Sequence, residues 1–182
     1  FCDAGGQIVN GDRILAICAA EFKRRGRLAL DTLVTTPMSN LGLHEAMAAK
    51  GIKVVQAEVG DRHVIEMMRR HGYNMGGEQS GHIIFMDYVT TGDGIITALH
   101  VLSIMMDQQR PLAELADCMR EYPQRLVSVP VREKPPLANI APLAAIIAEA
   151  EQALAGCGRV NVRYSGTEDK LRVMVEAPDA AL

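Results

Sequence analysis

The chain has no tryptophan and only three phenylalanines and four tyrosines. So few aromatic side chains exclude a stacking platform for nucleic-acid bases, and a core must come from Ala, Val, Ile, Leu and ten Met. Cysteine is sparse too. Cys2, Cys18, Cys118 and Cys157 lie far apart with no C-x-x-C pair, so neither a zinc site nor a dithiol redox motif is indicated, and reduced thiols in a cytoplasmic protein are expected. No charge of one sign dominates: the formal net charge is -3, which leaves no basic footprint for nucleic acid. The local group Lys23, Arg24, Arg25 and Arg27 reads as a helix end whose cations complement the dipole. Long apolar runs are missing as well. The longest, around Leu99 to Met106, is interrupted by His100 and Ser103 and is too short for a bilayer, so no membrane partner and no secretory leader are expected.

What remains, 48% hydrophobic and 23% charged, suits one large or two small globular domains. Residues 1–10, with a Gly5-Gly6 turn, read as the remnant of a preceding domain. Over residues 11–110 helix and strand patterns alternate. Asp12 is expected to cap a helix ended by Gly26, Leu28 to Val34 reads as a strand, and Ser39 or Asn40 opens a second helix closed by Gly51. Ile52 to Val59 is the next strand, Asp61 opens a third helix ending at Gly72, a glycine loop follows, and strand His82 to Met86 leads to a helix from Asp93 to Gln108. Strands separated by single helices indicate βαβ units and a mainly parallel sheet. Residues 111–122 read as a linker helix. In residues 123–182 the rhythm changes, with strands at Leu126 to Val131, Arg159 to Arg163 and Leu171 to Val175 and a helix at Leu143 to Leu154. That pattern predicts a small α+β domain with a mixed or antiparallel sheet.

Two loops carry most of the chemistry. In Gly76-Gly77-Glu78-Gln79-Ser80-Gly81-His82, glycines free the backbone to bend around a carboxylate, an amide, a hydroxyl and an imidazole, a set able to bond sugar hydroxyls and move a proton. The stretch is no P-loop, because His82 and Ile83 replace the required Lys and Ser or Thr. Nor is it a nucleophile elbow, because Glu78 and His82 flank Ser80 where glycines are needed. A glycine-rich turn with incidental polar residues stays open as the alternative. In Arg163-Tyr164-Ser165-Gly166-Thr167, a guanidinium fork, two hydroxyls and a flexible backbone meet at a strand end, which suits a phosphate, with a polar hairpin loop as the alternative. Arg62 stands where a strand meets a helix, facing the carboxyl edge of the sheet or lying on the surface. Thr90 to Gly94 lacks the carboxylates of a calcium loop and reads as a helix start. His44, His71 and His100 read as structural, and the pairs Met67-Met68 and Met105-Met106 as core filler.

In order and spacing, Met38-Ser39-Asn40-Leu41-Gly42, Gly60-Asp61-Arg62, Gly76 to His82, Thr91-Gly92-Asp93-Gly94 and Arg163-x-Ser165-Gly166-Thr167-Glu168 resemble the second half of the bacterial phosphoglucosamine mutase family. That family belongs to the α-D-phosphohexomutase superfamily. The resemblance covers nearly the whole chain, and the Glu-Gln-Ser form of the loop resembles the glucosamine branch rather than the glucose and mannose branches. It implies four domains around a cleft, with residues 11–110 similar to the third and 123–182 to the fourth. It implies that Gly77, Glu78 and Ser80 bind the sugar, that His82 carries a proton near the reacting end, that Arg62 contacts substrate, and that Arg163, Ser165, Gly166 and Thr167 anchor a phosphate. It further implies interconversion of glucosamine 6-phosphate and glucosamine 1-phosphate through a bisphosphate, for amino-sugar nucleotide and cell-wall precursor synthesis. The phosphoserine would come from a first domain and the Mg²⁺ loop from a second. Neither motif occurs in this sequence, so the chain is expected to recognise a phosphosugar, alongside the preceding domains of the same protein, without turning it over. Tyr164 and Asp169 depart from the family pattern, which commonly has proline at the latter, and Asp169 adds negative charge beside the phosphate loop. A phosphoglucomutase or phosphomannomutase fragment and a non-catalytic phosphosugar-binding module remain alternatives.

Overall fold

The computed structural model describes residues 1–154 and 156–179 and divides into two units, Phe1–Glu121 and Tyr122–Leu182, each built on its own sheet. In the first, strands β1 (Thr32–Thr35), β2 (Lys53–Gln56), β3 (Met75–Gly77) and β4 (Ile83–Phe85) lie in the order β2-β1-β3-β4. β1 pairs in parallel with both β2 and β3, and β4 closes an antiparallel hairpin on β3. Helix α2 (Leu41–Ala49) leads from β1 outward to β2, and α3 (Asp61–His71) leads back across β1 to β3. Crossovers of one hand running in opposite directions must use opposite faces of the sheet. The packing agrees: Leu43 and Met47 of α2 share a core with Leu33, Met75, Ile83 and Phe85, whereas Val64 and Met68 of α3 pack with Val34 and Ile84. The period-2 alternation of Leu33 and Val34, or Ile83 and Ile84, supplies one side chain to each layer.

Helices α1 (Gly11–Arg24) and α4 (Gly94–Gln108) complete the layer that contains α2. α1 is capped by Asn10, whose side chain accepts from Arg13 N–H, and not by Asp12 as the sequence suggested. Asp12 is instead fully buried, and its Oδ2 accepts the Asn40 N–H at 2.8 Å, tying α1 to the entry of α2. α4 begins within Thr90 to Gly94 as expected, and Asp93 is its cap, accepting from Ile95 N–H and Ile96 N–H. α4 leaves Ile95, Leu99, Leu102 and Met106 exposed along one stripe. The strand expected from Leu28 begins only at Thr32, because Leu30 and Asp31 take positive φ values of 54° and 49° in a 3-10 turn. The strand expected to Val59 ends at Gln56. Helix α5 (Leu112–Ala116) is shorter than the linker helix expected to Tyr122, and with Leu112, Leu115 and Ala116 buried it is part of the first unit's core. Residues 1–9 form a small turn of chain with a Cys2–Ile8 bridge and cluster with the first unit.

In the second unit β5 (Gln124–Pro130), β6 (Arg159–Tyr164) and β7 (Lys170–Glu176) form an antiparallel sheet ordered β5-β7-β6, with α6 (Ala141–Leu154) packed on β6. Glu176 is fully buried on β7, where Arg159 Nε donates to its carboxylate at 2.7 Å. The core is thin, and Leu126, Val127 and Val129 of β5 remain exposed.

Candidate functional site

The three parallel strands end at one edge of the first sheet, where the loops after Thr35, Gln56 and Gly77 project. Open α/β sheets place ligands at that edge, where the direction of the crossovers reverses. Sequence reading missed that Met75–Gly77 is a strand, so the glycine loop is the tip of the β3–β4 hairpin. Gly77 is buried inside the ladder, and a Cβ there would lie 2.5 Å from His82 O, so its glycine serves the close approach of the two strands. The tip is a β-turn with a bulge glycine: Gly81 N–H donates to Glu78 O at 3.0 Å, Glu78 N–H donates to His82 O at 3.1 Å, and Gly81 has φ +99°.

This turn gathers three of the expected groups. Glu78 is largely covered, and its Oε1 accepts the Gly60 N–H at 3.0 Å. Its other oxygen lies 3.8 Å from His82 Nδ1, which shares a 3.2 Å hydrogen bond with Ser80 Oγ. A carboxylate, a hydroxyl and an exposed imidazole thus converge, with one carboxylate oxygen already fixed by backbone. Arg62 is not brought to them. Standing in the first turn of α3, it is 82% exposed, and its Nε donates to Glu66 at 2.9 Å. The Glu66 carboxyl is held below its usual range chiefly by that bond.

Several positioning residues escaped the sequence reading. Helix α3 opens at Asp61 as expected, and its N-cap is Gly60, with φ +124°, whose N–H donates to Glu78 and orients it. Gly11 N–H donates to Gln79 O at 3.1 Å, and a Cβ on Gly11 would lie 2.4 Å from Glu78 O and 2.5 Å from Gln79 O. The start of α1 therefore abuts the hairpin backbone directly. A cavity of about 330 Å³ beside the tip is lined by Asn10, Gly11, Gln79, Ser80, Gly81 and Thr97 among others. The neighbouring loop is locked from within, with Thr35 Oγ1 hydrogen-bonded to Ser39 Oγ and both residues buried. Glycines in a strand-to-helix loop with no turn type of their own were the available signal for Gly60 and Gly11.

In the second unit the loop Ser165 to Asp169 joins β6 to β7. Ser165 is buried, its N–H donates to Lys170 O at 2.8 Å, and its Oγ accepts the Glu168 N–H at 3.3 Å. The hydroxyl expected on a ligand therefore also stitches the loop, while Gly166 and Thr167 are exposed at its tip. Arg163 is half-buried on β6 directly opposite Arg172 on β7, so the two side chains share one face. Counting residues outward from the turn would have found Arg172. Like charges so placed repel, and here Glu168 offsets them: its carboxylate accepts from Arg172 at 2.9 Å and from Lys170 at 2.5 Å. These bonds, Lys170 first, hold the Glu168 carboxyl below its usual range. Asp169 pairs with Lys134 at 3.2 Å. Among the described residues no group of three or more His, Cys, Asp or Glu could hold a metal ion.

The first unit is thus an α/β/α layering with a polar hairpin at its carboxyl edge and the second an α+β fold with a cation-rimmed loop, and comparison with known proteins identifies the family. The sequence model of the family described as phosphoglucomutase/phosphomannomutase, alpha/beta/alpha domain III, matches residues 10–122, and that of the phosphoglucomutase/phosphomannomutase C-terminal domain matches residues 126–182. The chain belongs to the phosphoglucomutase/phosphomannomutase family. Within it, the chain is 54% identical over 180 residues to a phosphoglucosamine mutase of Anaeromyxobacter dehalogenans, covering 99% of this chain and 39% of that protein. It is 53% identical over 176 residues to the phosphoglucosamine mutase of Anoxybacillus flavithermus, covering 97% and 39%. The chain thus spans about two-fifths of the length of the curated relatives it matches. Among solved structures, N-acetylphosphoglucosamine mutase of Aspergillus fumigatus in complex with GlcNAc-6P and magnesium covers the whole chain with 46% of its own, at TM-score 0.79 and 21% identity, a likeness of fold.

Proposed function

We propose that this chain is the substrate-recognition half of a phosphoglucosamine mutase, a phosphohexomutase interconverting glucosamine 6-phosphate and glucosamine 1-phosphate. The observation that carries the reading is the 54% identity to a phosphoglucosamine mutase over 99% of the chain, a span that includes both polar loops. In the first unit, Glu78 accepts hydrogen bonds from sugar hydroxyl or amino groups through the oxygen that the Gly60 N–H does not use, and the Ser80 hydroxyl donates to or accepts from a sugar hydroxyl. His82, exposed and hydrogen-bonded through Nδ1 to Ser80, has its other ring nitrogen to carry a proton at the reacting end. Arg62 meets the ligand by leaving Glu66, an exposed pair that costs little to break. In the second unit, Arg163, the Gly166 backbone and Thr167 hold the phosphate that is not transferred, with Ser165 shaping the loop.

Phosphoryl transfer needs a donor as well as positioning. The phosphoserine and the magnesium ion implied by the resemblance would be supplied by other parts of a longer protein. The described residues offer no ligand cluster for the ion, and no step here is routed through it. By itself the chain is expected to bind and not to turn over. Calorimetric titration with glucosamine 6-phosphate and, in parallel, glucose 6-phosphate tests the reading. Preference for the amino sugar, lost in Arg163→Ala and weakened in Glu78→Gln, is the expected result. Equal binding of the two sugars would move the chain to the glucose or mannose branch, and no effect of Arg163→Ala would remove the phosphate loop from the account.

A further inference from the structure

We propose that Lys134 is an additional phosphate-recognition residue of the second unit, held ready by Asp169 in the free protein and released to an incoming phosphate monoester. The inference rests on the reading of the Ser165 to Asp169 loop as a phosphate site. Lys134 does not belong to that loop in sequence. It arrives on the strap that follows β5, whose Val131 N–H donates to Asp169 O at 3.0 Å and so lays the strap along the loop. The Lys134 ammonium then donates to Ser165 O at 3.2 Å and lies 3.2 Å from Asp169 Oδ1. One donor thus clamps the loop's first residue from outside, and a second is parked on a carboxylate at its far end.

The two acids of the loop differ in how firmly they are held. Glu168 is bonded by two cations, Lys170 and Arg172, and stays as the counter-charge of Arg172, which the strand register places opposite Arg163. Asp169 has a side chain 85% exposed with Lys134 as its ion-pair partner. An ion pair so exposed contributes little, so exchanging it for another anion costs little. A phosphate monoester dianion brings more charge than a carboxylate and three acceptor oxygens, while the ammonium can keep its bond to Ser165 O and turn its remaining donors to the ligand. Asp169 is then left to swing into solvent. Asp169 thereby acquires a role, as an internal competitor that tunes phosphate affinity down and holds the lysine near the loop.

The test is titration of the chain with glucosamine 6-phosphate, and with inorganic phosphate as the minimal probe, between pH 5 and 8. Lys134→Met should weaken both probes about tenfold, with Lys134→Arg restoring most of the loss. Asp169→Asn should tighten them about threefold, and that gain should vanish in the Lys134→Met background, because the two residues act as a pair. A purely structural lysine would leave the shape of the pH profile unchanged. Here the strengthening of binding as the probe becomes a dianion should flatten in Lys134→Met. Unchanged affinity and profile in a folded Lys134→Met chain overturns the proposal while Arg163→Ala still abolishes binding. If Arg163→Ala also binds normally, the phosphate-loop reading itself fails and the proposal with it.

Discussion

The two polar hairpins do the same mechanical job, presenting short side chains and backbone at a turn, yet they are held in place by different forces. The Glu78 to His82 turn is set by packing: the start of α1 presses on its backbone, α3 sits so close that a Cβ on Gly76 would lie 2.8 Å from Met68 Sδ, and its largely covered acid is tied to a backbone N–H. The Ser165 to Asp169 loop is set by charge, with Lys134, Lys170 and Arg172 arranged about two carboxylates at the surface. Packing is insensitive to salt and unforgiving of volume, whereas exposed ion pairs tolerate volume and yield to salt and acid. Positioning by packing suits recognition of neutral hydroxyls, which needs fixed geometry. Positioning by charge suits a dianion, which brings its own field.

The most severe way to strain this contrast is to add one methyl group at the first hairpin. Gly11→Ala drives a Cβ into two backbone carbonyl oxygens, neither of which is the end of a flexible side chain. We expect a loss of about 3 kcal/mol, at the upper end for overpacking, read as a lower urea midpoint of the first unit. Gly81→Ala is milder. Its Cβ meets nothing within 4 Å, but φ +99° strains any L side chain, so a loss of about 1 to 2 kcal/mol and a shift of the His82 imidazole resonances are expected. If both substitutions prove neutral, packing does not position this turn.

How far the sequence revealed this arrangement depended on how local the cause was. Helix and strand order, the α/β then α+β succession and the helix start at Thr90 to Gly94 were legible because apolar periodicity and capping chemistry act within a few residues. The strand Met75–Gly77 was not, since two glycines in three residues carry no strand propensity and the segment is a strand only because β1 and β4 pair with it on either side. The same holds for Asp12, which reads as a cap in sequence and becomes a buried tie to Asn40 in space. Glu78, Ser80 and His82 could be grouped from sequence because they sit in one turn. Gly60, Gly11 and Lys134 could not, because each reaches its loop across the fold.

Acid should separate the two regions next, with a smaller effect. The Glu168 carboxyl is held below its usual range, first by Lys170 and then by Arg172. A carboxyl lowered on folding contributes stability that is fully present above its unfolded value and is lost as pH falls through the lowered one. The phosphate loop should therefore loosen as the solution is acidified below the ordinary carboxylate range, and Glu168→Gln should remove that dependence. In the first unit the lowered carboxyls are Glu66, held down chiefly by its hydrogen bond from Arg62, and Glu21, brought down to about 2 chiefly by its hydrogen bond from Arg24, against burial that opposes it. Glu21 is bonded by Arg24 and Arg25 at the end of α1 and by Gln108 of α4, away from the hairpin, and Glu66 pairs with Arg62 through exposed side chains on α3. Amide exchange followed from pH 5 to pH 2 should show residues 165–169 losing protection while the Glu78 turn keeps it. Added salt should act in the same direction, and simultaneous loss in both turns would erase the distinction.

The smallest effect is the most discriminating. Gly166 stands at the tip of the second loop as Gly81 does in the first, but a Cβ there meets nothing within 4 Å and its φ lies outside the left-handed region. Neither sterics nor backbone strain requires glycine, so Gly166→Ala should change stability by less than about 0.5 kcal/mol, with a slight gain possible from reduced freedom of the unfolded chain. If the glycine is there for the ligand, the substitution should show itself only in binding, because a methyl group beside the N–H of residue 166 crowds a phosphate that approaches the backbone. Urea unfolding and phosphate titration on the same variant decide the matter. Unchanged stability with weakened phosphate binding assigns the glycine to recognition. A loss of stability as large as that of Gly11→Ala would mean that the second loop, like the first, is held by packing, and that its ring of charges only decorates it.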